Sequence, residues 1–135
     1  MGALSADKPR MYMPGYMGPV AEYTTTEVVY EGSAVGENSS LGTVRNFTDG
    51  DAFLGFALRQ AASGAQATVV TSGYIRLTVT GGATATLGAA VYATTSDTFS
   101  TTDSGSDTSI GHILQSIDTS TDCWVHFEGY QARSI

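Results

Sequence analysis

The chain is predicted to be all-β, a single small β-barrel or sandwich of about eight short strands with an extended N-terminal arm. Past residue 22 the sequence is dominated by Thr, Val, Ala, Gly, Ser and Tyr, several of which suit a pleated surface. Residues 74–80 and 122–129 alternate apolar and polar side chains, the period-two signature of half-buried strands. Charged residues make up only 14% of the chain and no lysine follows Lys8, so open strand edges would stand unguarded unless the sheet closed or a partner covered it. At 135 residues one core is expected, with residues 1–21 as arm and residues 22–135 as body.

The arm holds all three prolines and all four methionines. Proline lacks a donor and fixes φ, which favours extended backbone over helix there. Residues 23–31, rich in Thr, Val and Tyr, open the body as a strand. Residues 52–62 fit two templates: Leu54, Leu58 and Ala61 would share a helix face, whereas Leu54, Phe56 and Leu58 alternate with Gly55 and Ala57. The turn chemistry of Asp49-Gly50-Asp51 favours a strand, with a short helical turn up to Ser63.

Residues 67–71 and 74–80 are the next strands, with Ile75, Leu77 and Val79 on the inner face. Gly81-Gly82 then has the form of a two-residue hairpin turn, leading into strands at 83–87 and 89–93 with a bend at Gly88. Residues 94–109, with Phe99 as their one apolar anchor, are expected as a long surface loop or short hairpin. Residues 110–116 and 122–129 close the fold as two strands joined by a polar turn at 118–121, with Cys123, Val125 and Phe127 facing away from Trp124, His126 and Glu128. An echo between Leu54-Gly55-Phe56-Ala57-Leu58 and Ile110-Gly111-His112-Ile113-Leu114 is expected to mark equivalent strands of one barrel or sandwich.

The net charge of -7 and the scattered arginines, Arg10, Arg45, Arg59, Arg76 and Arg133, argue against a nucleic-acid partner, which would need a basic stripe. A single Cys123 excludes an intrachain disulfide framework. No apolar run is long enough to span a membrane. Asp7, Lys8, Pro9, Arg10 and Pro14 interrupt the first twenty residues, so no secretory signal is expected and synthesis is expected in a cytoplasm.

No catalytic residue, metal site or cofactor is expected. His112 and His126 lie in strands with no Cys or His at metal-ligand spacing, and Cys123 has no nearby cation to activate it. The acid pairs Asp49 with Asp51, Asp103 with Asp107 and Asp118 with Asp122 sit in Gly, Ser or Thr turns, where Asp serves the backbone. None fits a calcium loop with its closing Glu. The sequon matches at Asn38 and Asn46 are read as coincidence.

The arm carries the candidate contact residues: Met11, Tyr12, Met13, Pro14, Tyr16 and Met17, amphipathic or polarizable groups gathered in seven positions. Burying its large side chains would gain roughly 8 to 15 kcal/mol, and fixing about ten residues would cost roughly 10 to 20 kcal/mol. The arm is therefore expected to order only if it also gains backbone hydrogen bonds, for example by adding as a strand to a neighbour. Deleting residues 1–20 is expected to leave the fold and the oligomer intact while removing the attachment.

The succession Asp51-Ala52-Phe53-Leu54-Gly55-Phe56-Ala57, residues 64–69, Gly73-Tyr74-Ile75, Leu87-Gly88-Ala89-Ala90-Val91-Tyr92, Ile110-Gly111-His112-Ile113-Leu114 and Trp124-Val125-His126-Phe127 resembles the capsid decoration, or cement, proteins of tailed bacteriophages. The resemblance spans residues 28–127 and implies a compact β-barrel on the outside of the virion head. It implies the major capsid protein as partner, self-association as a homotrimer, stabilisation of the shell, and neither catalysis nor a cofactor. It does not cover the arm. A competing reading is a carbohydrate-binding or host-attachment β module using Trp124 and the tyrosines Tyr23, Tyr30, Tyr74, Tyr92 and Tyr130, provided they converge on one surface.

Overall fold

The computed structural model describes residues 2–37, 42–103, 107–117 and 121–129. The strands are β1 (Tyr12–Met17), β2 (Val20–Thr24), β3 (Ala34–Glu37), β4 (Val44–Asn46), β5 (Ala52–Ala57), β6 (Gln66–Val70), β7 (Ser72–Thr80), β8 (Ala90–Thr95), β9 (Thr98–Ser100), β10 (Thr108–Ser116) and β11 (Asp122–Glu128). The one helical element among the described residues is a 3-10 turn at Gly82–Thr84. The all-β expectation holds, with eleven strands among the described residues in place of about eight. The additional ones are mostly short pieces, such as β4 and β9, that run patterns cannot resolve.

Strands β7, β11, β10, β8 and β9 form a closed barrel: consecutive members pair antiparallel, and β9 returns to β7 through the parallel pairs Val79↔Phe99 and Thr80↔Ser100. This closure, with β1 covering β7 from Gly73 to Ile75, protects the edges that the lysine-poor barrel would otherwise expose. The second sheet runs β2-β6-β5-β3-β4. Residues 12–24 supply an outer strand to each sheet, since β1 lies on β7 and β2 on β6.

The core fills the barrel and the space between it and the second sheet, with Ile75, Leu77, Val79, Val125 and Phe127 meeting Phe47, Phe53 and Phe56. Phe56 is the hub: its ring lies 5.0 Å from that of Phe127, 5.5 Å from Phe53 and 5.9 Å from Phe99. A second cluster of Val29, Val35, Val44, Leu54 and Val69 is buried with Tyr23 packed against it. Every residue of β5 after Ala52 is therefore buried, which a one-sided alternation does not anticipate.

Four expectations are corrected, the first being the strand at residues 23–31, which ends at Thr24. The alternation assigned to Leu54, Phe56 and Leu58 is broken by a bulge opposite Val35 and Gly36, which sends Leu54 to the second cluster and Phe56 to the first. No helical turn follows β5; Ala61 instead forms an isolated bridge with Val29. Gly81-Gly82 is not a hairpin, because the chain enters the 3-10 turn and β7 takes β11, β9 and β1 as neighbours; residues 83–87 form no strand. Of the two readings of residues 94–109 the short hairpin holds, since Thr95 and Thr98 pair across a tight turn, but its tip, Ser96 and Asp97, is buried and not at the surface.

The echoed glycines lie in different sheets, Gly55 in β5 and Gly111 in β10. They share a cause of another kind. A Cβ at Gly55 would run into the Val70 carbonyl and one at Gly111 into the His126 carbonyl, so each marks a close approach of two strands. The polar turn expected at 118–121 lies largely outside the described residues.

Candidate functional site

The N-terminal segment is fastened to its own chain before β1 begins. The Leu4 N–H donates to Ser96 Oγ at 2.9 Å, Lys8 N–H to the Glu31 carbonyl at 2.8 Å, and Glu31 N–H to Asp7 Oδ1 at 3.0 Å. Asp97, at the buried hairpin tip, holds Arg10 at 2.7 Å and Lys8 at 3.1 Å. Arg10 is the deeper partner, its side chain 4% exposed. Its guanidinium carbon sits 5.8 Å from the Phe56 ring centre and 5.7 Å from that of Phe99, and its Nε donates to the Gly32 carbonyl at 2.8 Å. Nothing in the Ser/Thr-rich sequence around Asp97 signals this clamp, because both cations lie more than 80 residues away in the chain.

Beyond the clamp, β1 gains the backbone partners that side-chain burial could not replace. Arg76 N–H donates to the Met11 carbonyl at 2.9 Å and Gly18 N–H to the Ser72 carbonyl at 2.8 Å. Between these anchors the register slips: Tyr12 faces Ile75 and Met17 faces Gly73, so β1 uses five residue steps where β7 uses two. Met13, Pro14, Gly15 and Tyr16 arch outward, and the Pro14 nitrogen has no donor to leave bare.

The six arm residues divide accordingly. Met11 at 57%, Tyr16 at 51% and Met17 at 47% are exposed, as is Pro14, whereas Tyr12 and Met13 are partly buried. Tyr12 packs against the core with its ring 6.5 Å from Phe127. Val20, 53% exposed on β2, extends the open patch. No charged residue occurs between positions 11 and 21.

The Tyr12 hydroxyl is buried without a hydrogen-bond partner, and burial pushes its pKa up from 10.0. Tyr12→Phe removes that unmet polar group and is expected to raise stability by about 1 kcal/mol in urea unfolding. The folded chain holds the phenol proton more tightly than the unfolded chain. This contribution is thus intact below pH 10.0 and is lost as pH rises above it. Tyr12→Phe should accordingly move the alkaline unfolding midpoint upward, whereas an unchanged midpoint would mean that other groups govern it.

On the outer barrel wall, β7 and β11 present matched side chains: Thr78 opposite Asp122, Arg76 opposite Trp124, and Tyr74 opposite His126. Tyr16 stacks on Tyr74 at 4.5 Å, and His126 meets Tyr74 edge-on at 5.0 Å. His126 also faces His112 across β10 and β11, a juxtaposition that register alone decides and chain spacing does not reveal. Tyr92 stands on β8, and Tyr23 and Tyr30 lie away from the wall in the β2–β3 region. Tyr130 lies outside the described residues.

The acids flagged in the sequence serve local structure. Asp51 is buried and bound by Arg45 at 2.8 Å and by the Thr48 N–H at 3.1 Å. Asp122 pairs with Arg76 at 3.0 Å. Asn46 donates to Glu27 at 2.7 Å and to the Val28 carbonyl at 2.7 Å, while Asn38 and Asp118 lie outside the described residues. Burial raises the pKa of the Cys123 thiol, which leaves it a poor nucleophile. Among the described residues no three His, Cys, Asp or Glu side chains gather as a metal site.

Compared with known protein families, residues 17–127 match the family described as phage cement protein. The match takes in β2 to β11 almost entirely and leaves residues 1–16 outside it. No curated protein matches the chain.

Proposed function

The chain belongs to the phage cement protein family, which implies association with the phage capsid, and from that premise we propose that it is a non-enzymatic decoration protein. It binds the outer surface of the shell, acts as a homotrimer and stabilises the head against disruption. Its partner is the major capsid protein, and it reaches the virion after synthesis in the host cytoplasm.

The observation that carries the attachment reading is the run of exposed, uncharged side chains Met11, Pro14, Tyr16, Met17 and Val20 along β1, its N-terminal flank and the start of β2. The centres of protein interfaces are depleted in charge and enriched in Met and Tyr, as this patch is. A trimer presents three such patches, so each contact can be modest while the assembly remains attached.

The test uses capsids stripped of decoration. Replacing Met11, Tyr16 and Met17 together by serine is expected to lower apparent capsid affinity on the order of 100-fold, through loss of the multivalent contact. Circular dichroism should be unchanged, because all three side chains are exposed. Undiminished co-sedimentation of the triple variant removes the patch from the interface, and failure of the wild-type chain to bind overturns the capsid role. Sedimentation at monomer mass at high concentration removes the trimer.

A further inference from the structure

We propose that the outer barrel wall is a carbohydrate-binding surface, centred on Trp124 and the Arg76–Asp122 pair, which gives the protein a second ligand besides the capsid. Arg76 stands directly opposite Trp124 in the β7–β11 register and binds Asp122 at 3.0 Å. Thr78 donates to the other Asp122 oxygen at 2.8 Å, so the carboxylate is fixed from two sides. The ion pair is nonetheless open, its side chains 37% and 30% exposed. Beside it a cleft of about 180 Å³ runs between β7 and the N-terminal segment, bordered by Lys8, Arg10, Met11 and Thr78 as well as by the pair itself.

The chemistry of this surface differs from that of the Met/Tyr patch, with which it shares Met11. A protein interface would be expected to exclude a half-open ion pair from its centre. Here a ring and an ion pair lie side by side, the combination that suits a ligand with an apolar face and a hydroxyl rim. A pyranose has both: its C–H face can lie on the Trp124 ring while neighbouring hydroxyls donate to Asp122 and accept from Arg76. Because these side chains already hold one another in place, little rotamer freedom remains to be lost on binding. The cleft is smaller than the roughly 300 Å³ at which drug-sized pockets begin, so it fits one sugar unit, with further units passing over Trp124 towards His126 and His112.

Saturation-transfer NMR with the methyl pyranosides of glucose, galactose, mannose, rhamnose and N-acetylglucosamine tests the proposal on the full chain. Transfer to the ring C–H protons of at least one glycoside is expected. Trp124→Ala should raise its Kd roughly tenfold or more. Asp122→Asn preserves shape and should weaken binding similarly, which keeps the test decisive if the tryptophan variant misfolds. Tyr23→Phe, on the other sheet, should change nothing. Absence of transfer to every glycoside overturns the proposal, as does binding unaffected by both wall variants. Loss of self-association or of capsid binding in Asp122→Asn also overturns it, by assigning the wall to a protein partner; a failed capsid assay with intact sugar binding would instead touch only the attachment reading.

Discussion

Asp97→Ala is expected to lower the free energy of unfolding by about 3–5 kcal/mol, the cost of stranding a buried charge without its partner. The stranded group is Arg10, 4% exposed and lodged between Phe56 and Phe99. Lys8, the second cation on the same carboxylate, is 43% exposed, and Lys8→Ala should cost no more than about 1 kcal/mol. The contrast between the two variants in urea unfolding is the measurement. Equal effects would mean that the Arg10 pair contributes no more than a surface ion pair. Replacing both Arg10 and Asp97 by apolar residues of similar volume should recover much of the loss, since the damage lies in the uncompensated charge and not in the absence of the bridge.

That clamp also shows where the sequence is readable and where it is not. β7 and β11 are legible because each buries one face, and Ile75, Leu77 and Val79 or Cys123, Val125 and Phe127 write the alternation directly. The burial of the β8–β9 hairpin tip is illegible: it depends on Leu4, Lys8 and Arg10, which no local window contains. Gly81 does adopt the positive φ that a glycine turn permits. Turn chemistry nevertheless fixes only the bend, and the strand beside β7 is β11, more than 40 residues further on. The N-terminal arm is visible in composition, but the division between inward Tyr12 and outward Met11, Tyr16 and Met17 follows from register against β7. The wall is similar: Trp124, Arg76 and His112 are distant in sequence and become neighbours through pairing alone.

Deleting residues 1–17 is expected to cost about 5 kcal/mol, a large share of the 5–15 kcal/mol that holds a typical domain. The expectation that such a truncation leaves the body undisturbed must be revised on physical grounds. The deletion bares the β7 edge from Gly73 to Ile75, lifts Tyr12 off Phe127 and uncovers Phe56 and Phe99. Against these losses stands the conformational entropy returned by the released segment, which is why the net cost is well below the sum of its contacts. The same balance limits the point variant: Asp97→Ala cannot cost more than undocking the segment, because the chain can always relieve a stranded Arg10 by peeling away. In the truncated chain water reaches Asp97, and Asp97→Ala should then be nearly neutral, within about 1 kcal/mol. A double-mutant cycle measures this directly. If Asp97→Ala costs as much in the truncated chain as in the full one, the carboxylate stabilises the β8–β9 hairpin by itself and the segment is a passenger. If the cost vanishes, residues 4–17 and the barrel are one cooperative unit, and loss of capsid binding by a truncated protein would report on folding as much as on attachment.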